Sequence, residues 1–170
     1  MSIQKKLINN NFFTFFYYTI TRPSEMQRVY YTEGELKLEV YEVNGRKEGQ
    51  YKDYYTNGKM NVICNYVNNK LNGECRTYFM YEPANLYEIY YYINNKKQGE
   101  CKRYYDNGQL LETYNYVNNK KHGQHKVYSR DGTLVNITNY NNGHQVETKI
   151  YSQDGRLVKI INYNNQPQDD

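Results

Sequence analysis

The sequence predicts an all-β protein, an elongated single-layer antiparallel sheet of about six stacked β-hairpin repeats. Three observations carry this. One motif recurs about every 24 residues along the 170-residue chain. Each copy holds short runs rich in Tyr, Val, Ile and Thr, bounded by Asn-Gly or Asp-Gly, which is the wording of hairpins. Helical spacing of apolar residues is absent. A fixed period of this length marks an array of units that bury their faces only against one another.

The clearest copy runs from Gly49 through Asn57-Gly58 and Met60 to Asn68-Asn69 and Gly73, and a near twin from Gly99 to Gly123. Aligned, the copies give columns. One reads Tyr30, Tyr54, Tyr78, Tyr104, Tyr128, Tyr151, and two residues before each stands Arg28, Lys52, Arg76, Lys102, Lys126, Lys149. Another reads Leu36, Met60, Leu86, Leu110, Leu134, Leu157, and is expected to supply buried apolar contacts. A later one reads Tyr66, Tyr92, Tyr116, Tyr140, Tyr163, preceded at three residues by Ile63, Ile89, Thr113, Ile137, Ile160, with Glu42 and Glu39 standing in the first copy.

Two turns punctuate each copy. The first is Asn57-Gly58 and its equivalents and the second is Asn68-Asn69 and its equivalents, so each copy predicts two strands and six copies about twelve. The third copy carries an insertion around Glu82-Pro83, read as a loop protruding from the array. The fifth copy loses a residue near Asn142–Val146, and its closing Gly is missing. Shifting the register back by one period places Phe12 to Ile20 as the second strand of a degenerate repeat, so residues 1–24 read as an N-terminal cap. The array proper reads as 25–166 and residues 167–170, with Pro167, as a tail that stops further pairing.

Composition narrows the function classes. The mean hydropathy of −1.05 would suit a disordered chain, but 16% aromatic residues, 23 of them Tyr, would not. Net charge is +4, too mild to imply nucleic-acid binding by itself, so nucleic acid is not expected as a partner. Phe12–Ile20 is too short to cross a bilayer as a helix, and no small-residue cleavage site follows it. Three cysteines, an odd number, predict reduced thiols and an intracellular, cytoplasmic setting. Cys75 and Cys101 share a column one repeat apart, too far for a disulfide.

The pattern Gly-x-x-(Lys/Arg)-x-Tyr-(Tyr/Phe)-x-x-Gly-x-Leu, followed by Tyr-x-Asn-(Gly/Asn)-Lys-x-x-Gly, resembles the MORN repeat. It is most similar to the MORN-variant repeat of bacterial antitoxin-like proteins and of giant DNA viruses. The Asn-, Lys-, Tyr- and Ile-rich wording leans to the viral branch, which would place the protein in a host cytoplasm. The resemblance covers about residues 25 to 166. It implies a twisted single-layer sheet of hairpins and a binding or scaffolding role, toward proteins or membranes. Asn69, Asn95 and Asn119 stand where the family wording favours Gly.

The cation column Arg28, Lys52, Arg76, Lys102, Lys126, Lys149 lies two residues from the column Tyr30, Tyr54, Tyr78, Tyr104, Tyr128, Tyr151, so the two share one face. They form a candidate basic-aromatic binding surface for an acidic peptide, anionic lipid headgroups or single-stranded nucleic acid. The same columns also serve as stacking columns between repeats, with lysine stems covering the rings, and that reading carries more weight. His122, His125 and His144 do not recur in register, and no metal site or cofactor is expected. Carboxylates read as scattered, and no catalytic constellation emerges, so the chain reads as a non-enzyme. The expected function is a repeat scaffold for protein–protein interaction. Membrane-surface binding through the basic-aromatic columns is the alternative, and a homodimer through an end strand or the Phe12–Tyr18 segment is expected as well.

Overall fold

The computed structural model describes residues 24–163 and, before them, the backbone of four short strands. Ser2–Lys6 pairs with Tyr17–Thr21, and Asn9–Asn10 with Phe13–Thr14, as two-stranded sheets of their own. The expected degenerate-repeat strand therefore takes a partner within the N-terminal segment rather than a strand of the array. Phe12 and the tail 167–170 lie outside the described residues.

The array is one antiparallel sheet of fifteen strands, twelve of them long, and no helix occurs among the described residues. Each repeat contributes a leading and a returning strand in an unbroken meander. They are Glu25–Tyr30 with Leu36–Val43, Arg46–Tyr54 with Met60–Val67, Gly73–Tyr78 with Leu86–Ile93, Gly99–Tyr104 with Leu110–Val117, Gly123–Tyr128 with Leu134–Asn141, and His144–Tyr151 with Leu157–Asn162. The two-residue strands Lys70–Leu71, Lys96–Lys97 and Lys120–Lys121 extend three of the leading strands across a bulge.

The two turns differ physically. In the first, Tyr55 N donates to Lys59 O at 2.8 Å and Gly58 takes φ +77°, so glycine alone uses the left-handed region. Asn57 instead turns its side chain back to accept from Lys59 N at 3.1 Å. In the second turn both residues are left-handed, as at Asn68 (φ 50°) and Asn69 (φ 65°). Asn69 Oδ1 also accepts from Lys47 N at 2.7 Å, Asn95 Oδ1 from Leu71 N at 2.6 Å, and Asn119 Oδ1 from Lys97 N at 2.6 Å. Asn thus replaces the expected Gly because it tolerates this conformation and ties its turn to the preceding repeat.

A second tie explains the tyrosine doublets. Tyr31, Tyr55 and Tyr105 hydroxyls donate to the carbonyls of Tyr54, Tyr78 and Tyr128, one repeat on, at 2.7–2.9 Å. Phe79 has no hydroxyl, and its repeat carries the Glu82-Pro83 insertion. That loop does not simply protrude: Glu82 pairs with Lys59, and Asn57 Nδ2 donates to Met80 O at 3.1 Å, although Tyr81 remains exposed.

The core is one row on one face. In cross-strand register it runs Val40, Tyr51, Cys64, Cys75, Tyr90, Cys101, Tyr114, His125, Thr138, Thr148. Val40, Cys64, Cys75, Cys101, Tyr114, Thr138 and Thr148 are the buried members. Two expectations are corrected here. The Leu column is not the core: Leu110 is half-buried and Leu157 exposed, because these residues close the hairpin loops at one edge. Cys64 and Cys75 are not free thiols. They face each other on adjacent strands, 4.2 Å apart at Cα, and are joined by a disulfide, leaving Cys101 as the free, buried thiol.

Replacing Asn119 tests the second turn. Asn119→Gly keeps the left-handed backbone and loses the bond to Lys97, and should cost about 1 kcal/mol in urea unfolding. Asn119→Ala loses the same bond and adds roughly 1–2 kcal/mol for placing a Cβ in that region. An Asn119→Gly variant as stable as the wild type would show that the side-chain bond contributes nothing, and equal losses in the two variants would show that the left-handed backbone imposes no strain on a Cβ.

Candidate interaction surfaces

The predicted cation column lies on the face opposite the buried row. It is half of a row spanning the whole sheet, in which Arg28, Glu39, Lys52, Ile63, Arg76, Ile89, Lys102, Thr113, Lys126, Ile137, Lys149 and Ile160 stand in register. Cations alternate with Glu39 in the first copy and with Ile or Thr in the others, one residue per strand. The bulges between the first five repeats preserve this alternation. Pairing steps from Tyr66–Leu71 to Ile63–Arg76, so four residues, Asn72 to Cys75, stand opposite two, Cys64 and Asn65. An even excess returns the leading strand to the same face. Gly73, at φ +97°, absorbs the bend, as Gly49, Gly99 and Gly123 do in their copies.

The column is largely neutralised by the chain itself. Arg28 and Lys52 pair with Glu39 at 3.4 and 3.1 Å, Arg76 with Glu74 at 2.6 Å, Lys102 with Glu100 at 3.0 Å and Lys149 with Glu147 at 3.4 Å. Lys126, with Gln124 at the position of those glutamates, has no ion pair among the described residues. The bond from Lys52 outweighs burial and holds the Glu39 carboxyl below the usual range, with Tyr54 as a further donor at 3.1 Å. The column tyrosines Tyr30, Tyr54, Tyr78, Tyr104, Tyr128 and Tyr151 follow two residues on. Among the described residues no column cation lies over one of their rings.

The cation–aromatic contacts form on the other face, from residues the column reading passed over. Lys47 Nζ lies 5.7 and 5.3 Å from the Tyr51 and Tyr66 ring centres. Lys97 lies 4.6 and 5.4 Å from Tyr90 and Tyr116, and Lys121 lies 4.8 and 5.3 Å from Tyr114 and Tyr140. Each lysine roofs two rings with its ammonium group near their faces. The sequence signal was present in the doublets Lys96-Lys97 and Lys120-Lys121. In a strand, successive residues point to opposite faces, so one member of each doublet roofs the tyrosines and the other does not.

A polar cluster sits mid-array on the same face. Arg103 reaches Glu88 at 3.1 Å and Glu112 at 2.6 Å, and His125 Nε2 meets Glu112 at 2.6 Å. The Tyr114 hydroxyl donates to Glu88, and Arg103 Nη2 lies 3.3 Å from the same hydroxyl. The carboxylates are therefore not all scattered: two of them bracket one guanidinium, because Glu88, Arg103 and Glu112 occupy one register row. The bond to His125, aided by Arg103, outweighs burial and lowers the Glu112 pKa. Burial first, then the Glu88 bond, raises that of Tyr114. Burial also pushes the Tyr90 phenol up to about 12 and the Cys101 thiol up to about 11. These groups are locked into neutral or paired states, which suits structure rather than proton transfer. Among the described residues no group of His, Cys, Asp and Glu has the arrangement of a metal site.

Two outcomes follow. A group with a depressed folded-state pKa adds stability above its unfolded value, and that stability is lost as pH falls through the folded value. Glu112→Gln should lower stability at pH 7 by roughly 1–3 kcal/mol. It should also flatten the further loss between pH 5 and 3 in thermal melts taken across that range. Cys101, buried and with its thiol pKa at about 11, should resist a thiol reagent at pH 8 in native protein and react at once in denaturant. Native-state labelling at the rate of a free thiol would contradict the buried row.

Comparison with known proteins supports the repeat reading. A model described as a MORN repeat variant matches residues 47–68, 97–118 and 121–142, each match running through one hairpin to the following turn. No curated protein matches the chain. Solved structures include a mutant of TarM from S. aureus in complex with Fondaparinux, alpha-GlcNAc-glycerol and UDP. It has 13% identity and a TM-score of 0.29, over 65% of this chain and 19% of that one. A second structure of TarM has 14% identity and the same TM-score, over 66% of this chain. The chain thus spans about a fifth of the length of these proteins, at a similarity too low to bear on function. The unmatched copies are those that depart from the motif: the first with Glu42 for Tyr, the third with its insertion, the last without its glycine. With its motif residues on one open sheet of stacked hairpins, the chain carries MORN repeats of the variant type at these three positions.

Proposed function

We propose that this chain is a non-enzymatic scaffold that binds a protein partner through its open sheet. MORN repeats are generally interaction motifs for proteins or membranes. The observation that favours a protein here is the self-neutralised cation column. Five of its six members are held by the chain's own glutamates, so the column itself has little free positive charge to draw an anionic membrane. A protein surface can still use the aliphatic half of that row together with exposed Tyr91 and Ile93.

Membrane binding through the column remains the competing reading, and co-sedimentation with vesicles containing phosphatidylserine separates the two. Little sedimentation is expected at 150 mM salt. Strong sedimentation that disappears in the triple variant Lys52→Glu, Lys102→Glu, Lys126→Glu would make the membrane the partner. Affinity capture from the cell of origin should instead recover a defined protein at reproducible stoichiometry.

The last strand supports a homodimer as a second mode. Leu157, Val158 and Ile160 are exposed on a strand whose only hydrogen-bonded neighbour among the described residues is His144–Tyr151. An apolar edge of this kind is a template for pairing with another copy. Light scattering on the full chain should show a dimer that Val158→Lys with Ile160→Lys converts to monomer. A wild-type monomer at high concentration would rule this out.

A further inference from the structure

We infer that the edge of the sheet carrying the second turns is a docking surface for an extended acidic segment of a partner protein. The inference rests on the scaffold reading above and names its site. The residue after each pair of turn asparagines is a cation: Lys70, Lys96 and Lys120 are all exposed. Each stands directly opposite an aliphatic residue, Val67, Ile93 and Val117, exposed by 38, 55 and 39%. Opposed residues share a face, and Val67 shares that of Ile63, so this stripe lies on the cation-column face but displaced to its edge.

The electrostatics of the stripe differ from those of the column. None of the three lysines has an ion pair among the described residues. On this face Glu74 and Glu100 are already held by Arg76 and Lys102, and Glu48 at the turn edge accepts from Asn68 N at 2.8 Å. The companion lysines Lys97 and Lys121 are used on the other face, over their tyrosines. In three successive copies this edge therefore carries one unpaired positive charge beside one exposed aliphatic.

The spacing selects the occupant. Two strands per repeat place successive lysines ~9.6 Å apart. Three residues of a polyproline-like extended chain advance ~9.3 Å and return to the same side. A segment with an acidic residue at every third position, each beside an apolar one, therefore meets every repeat in phase. A bilayer does not match as well. Neighbouring strands turn by roughly 20–25°, so the stripe rotates by about 40–50° per repeat and a plane meets only part of it. A flexible chain follows the rotation.

The test uses the full-length protein and a fluorescein-labelled peptide of five Glu-Ile-Ser triplets, read by anisotropy. Its control has the same composition with all glutamates gathered at one end. The phased peptide should bind at least fivefold more tightly than the control. The variant Lys70→Glu, Lys96→Glu, Lys120→Glu should lose at least tenfold, with unchanged circular dichroism. The column variant Lys52→Gln, Lys102→Gln, Lys126→Gln should change affinity less than threefold. Equal binding of the two peptides, equal binding by the turn-edge variant, or no peptide binding at all would overturn the proposal. So would binding to phosphatidylserine vesicles, absent for the peptide, that the turn-edge variant abolishes. If a captured cellular partner is retained by the turn-edge variant, this surface fails while the scaffold reading stands.

Discussion

A strand that bulges must come back to the face it left, or every side chain beyond the bulge changes sides. In this array the condition is met between the returning and leading strands of the first five repeats. The four residues Asn72 to Cys75 oppose two, Cys64 and Asn65, and the even excess restores the alternation. That restoration keeps one row, Val40 to Thr148, on a single face with seven of its members buried, while cations alternate with Glu39 and then Ile or Thr on the reverse side. Glycine at the bulge and asparagine at the turn follow from it, since both positions require a left-handed backbone.

Because the array is one layer thick, its core is a line rather than a volume. Burial of small residues along that line contributes little apolar area per repeat, so polar ties between repeats carry much of the cohesion. They are of three kinds: tyrosine hydroxyls donating to the next repeat's carbonyl, asparagine side chains accepting from the preceding strand, and lysines roofing tyrosine pairs. Each reaches only the neighbouring copy, so loss of one should be felt locally. The Glu88–Arg103–Glu112–His125 cluster joins three successive repeats through two ion pairs and the Glu112–His125 hydrogen bond.

The same thinness bears on function. A sheet with two accessible faces and free edges offers surface rather than an enclosed pocket, and recognition then depends on which charges remain unpaired. Proximity on a strand let the glutamates two residues before Arg76, Lys102 and Lys149 neutralise them. No such partner reaches Lys70, Lys96 or Lys120 at the turn edge among the described residues.

Much of this was legible in the sequence. The period, the two turns per copy and the alternation determined the hairpin meander and its twelve long strands, because these are local properties of backbone conformation. The residue missing near Val146 leaves a smaller bulge in the structure, in which Val146 alone is extra. What the chain could not disclose was cross-strand registry between repeats. Only that registry places Cys64 against Cys75, Arg103 between two carboxylates, and Glu39 between Arg28 and Lys52. The column of Tyr51, Cys75, Cys101, His125 and Thr148 varies in residue type, so no composition signal marked it as the buried line. The cation column repeats conspicuously, yet its charge is mostly spent within the chain. Local geometry is written residue by residue, whereas burial and charge pairing depend on which residues from distant positions share a face.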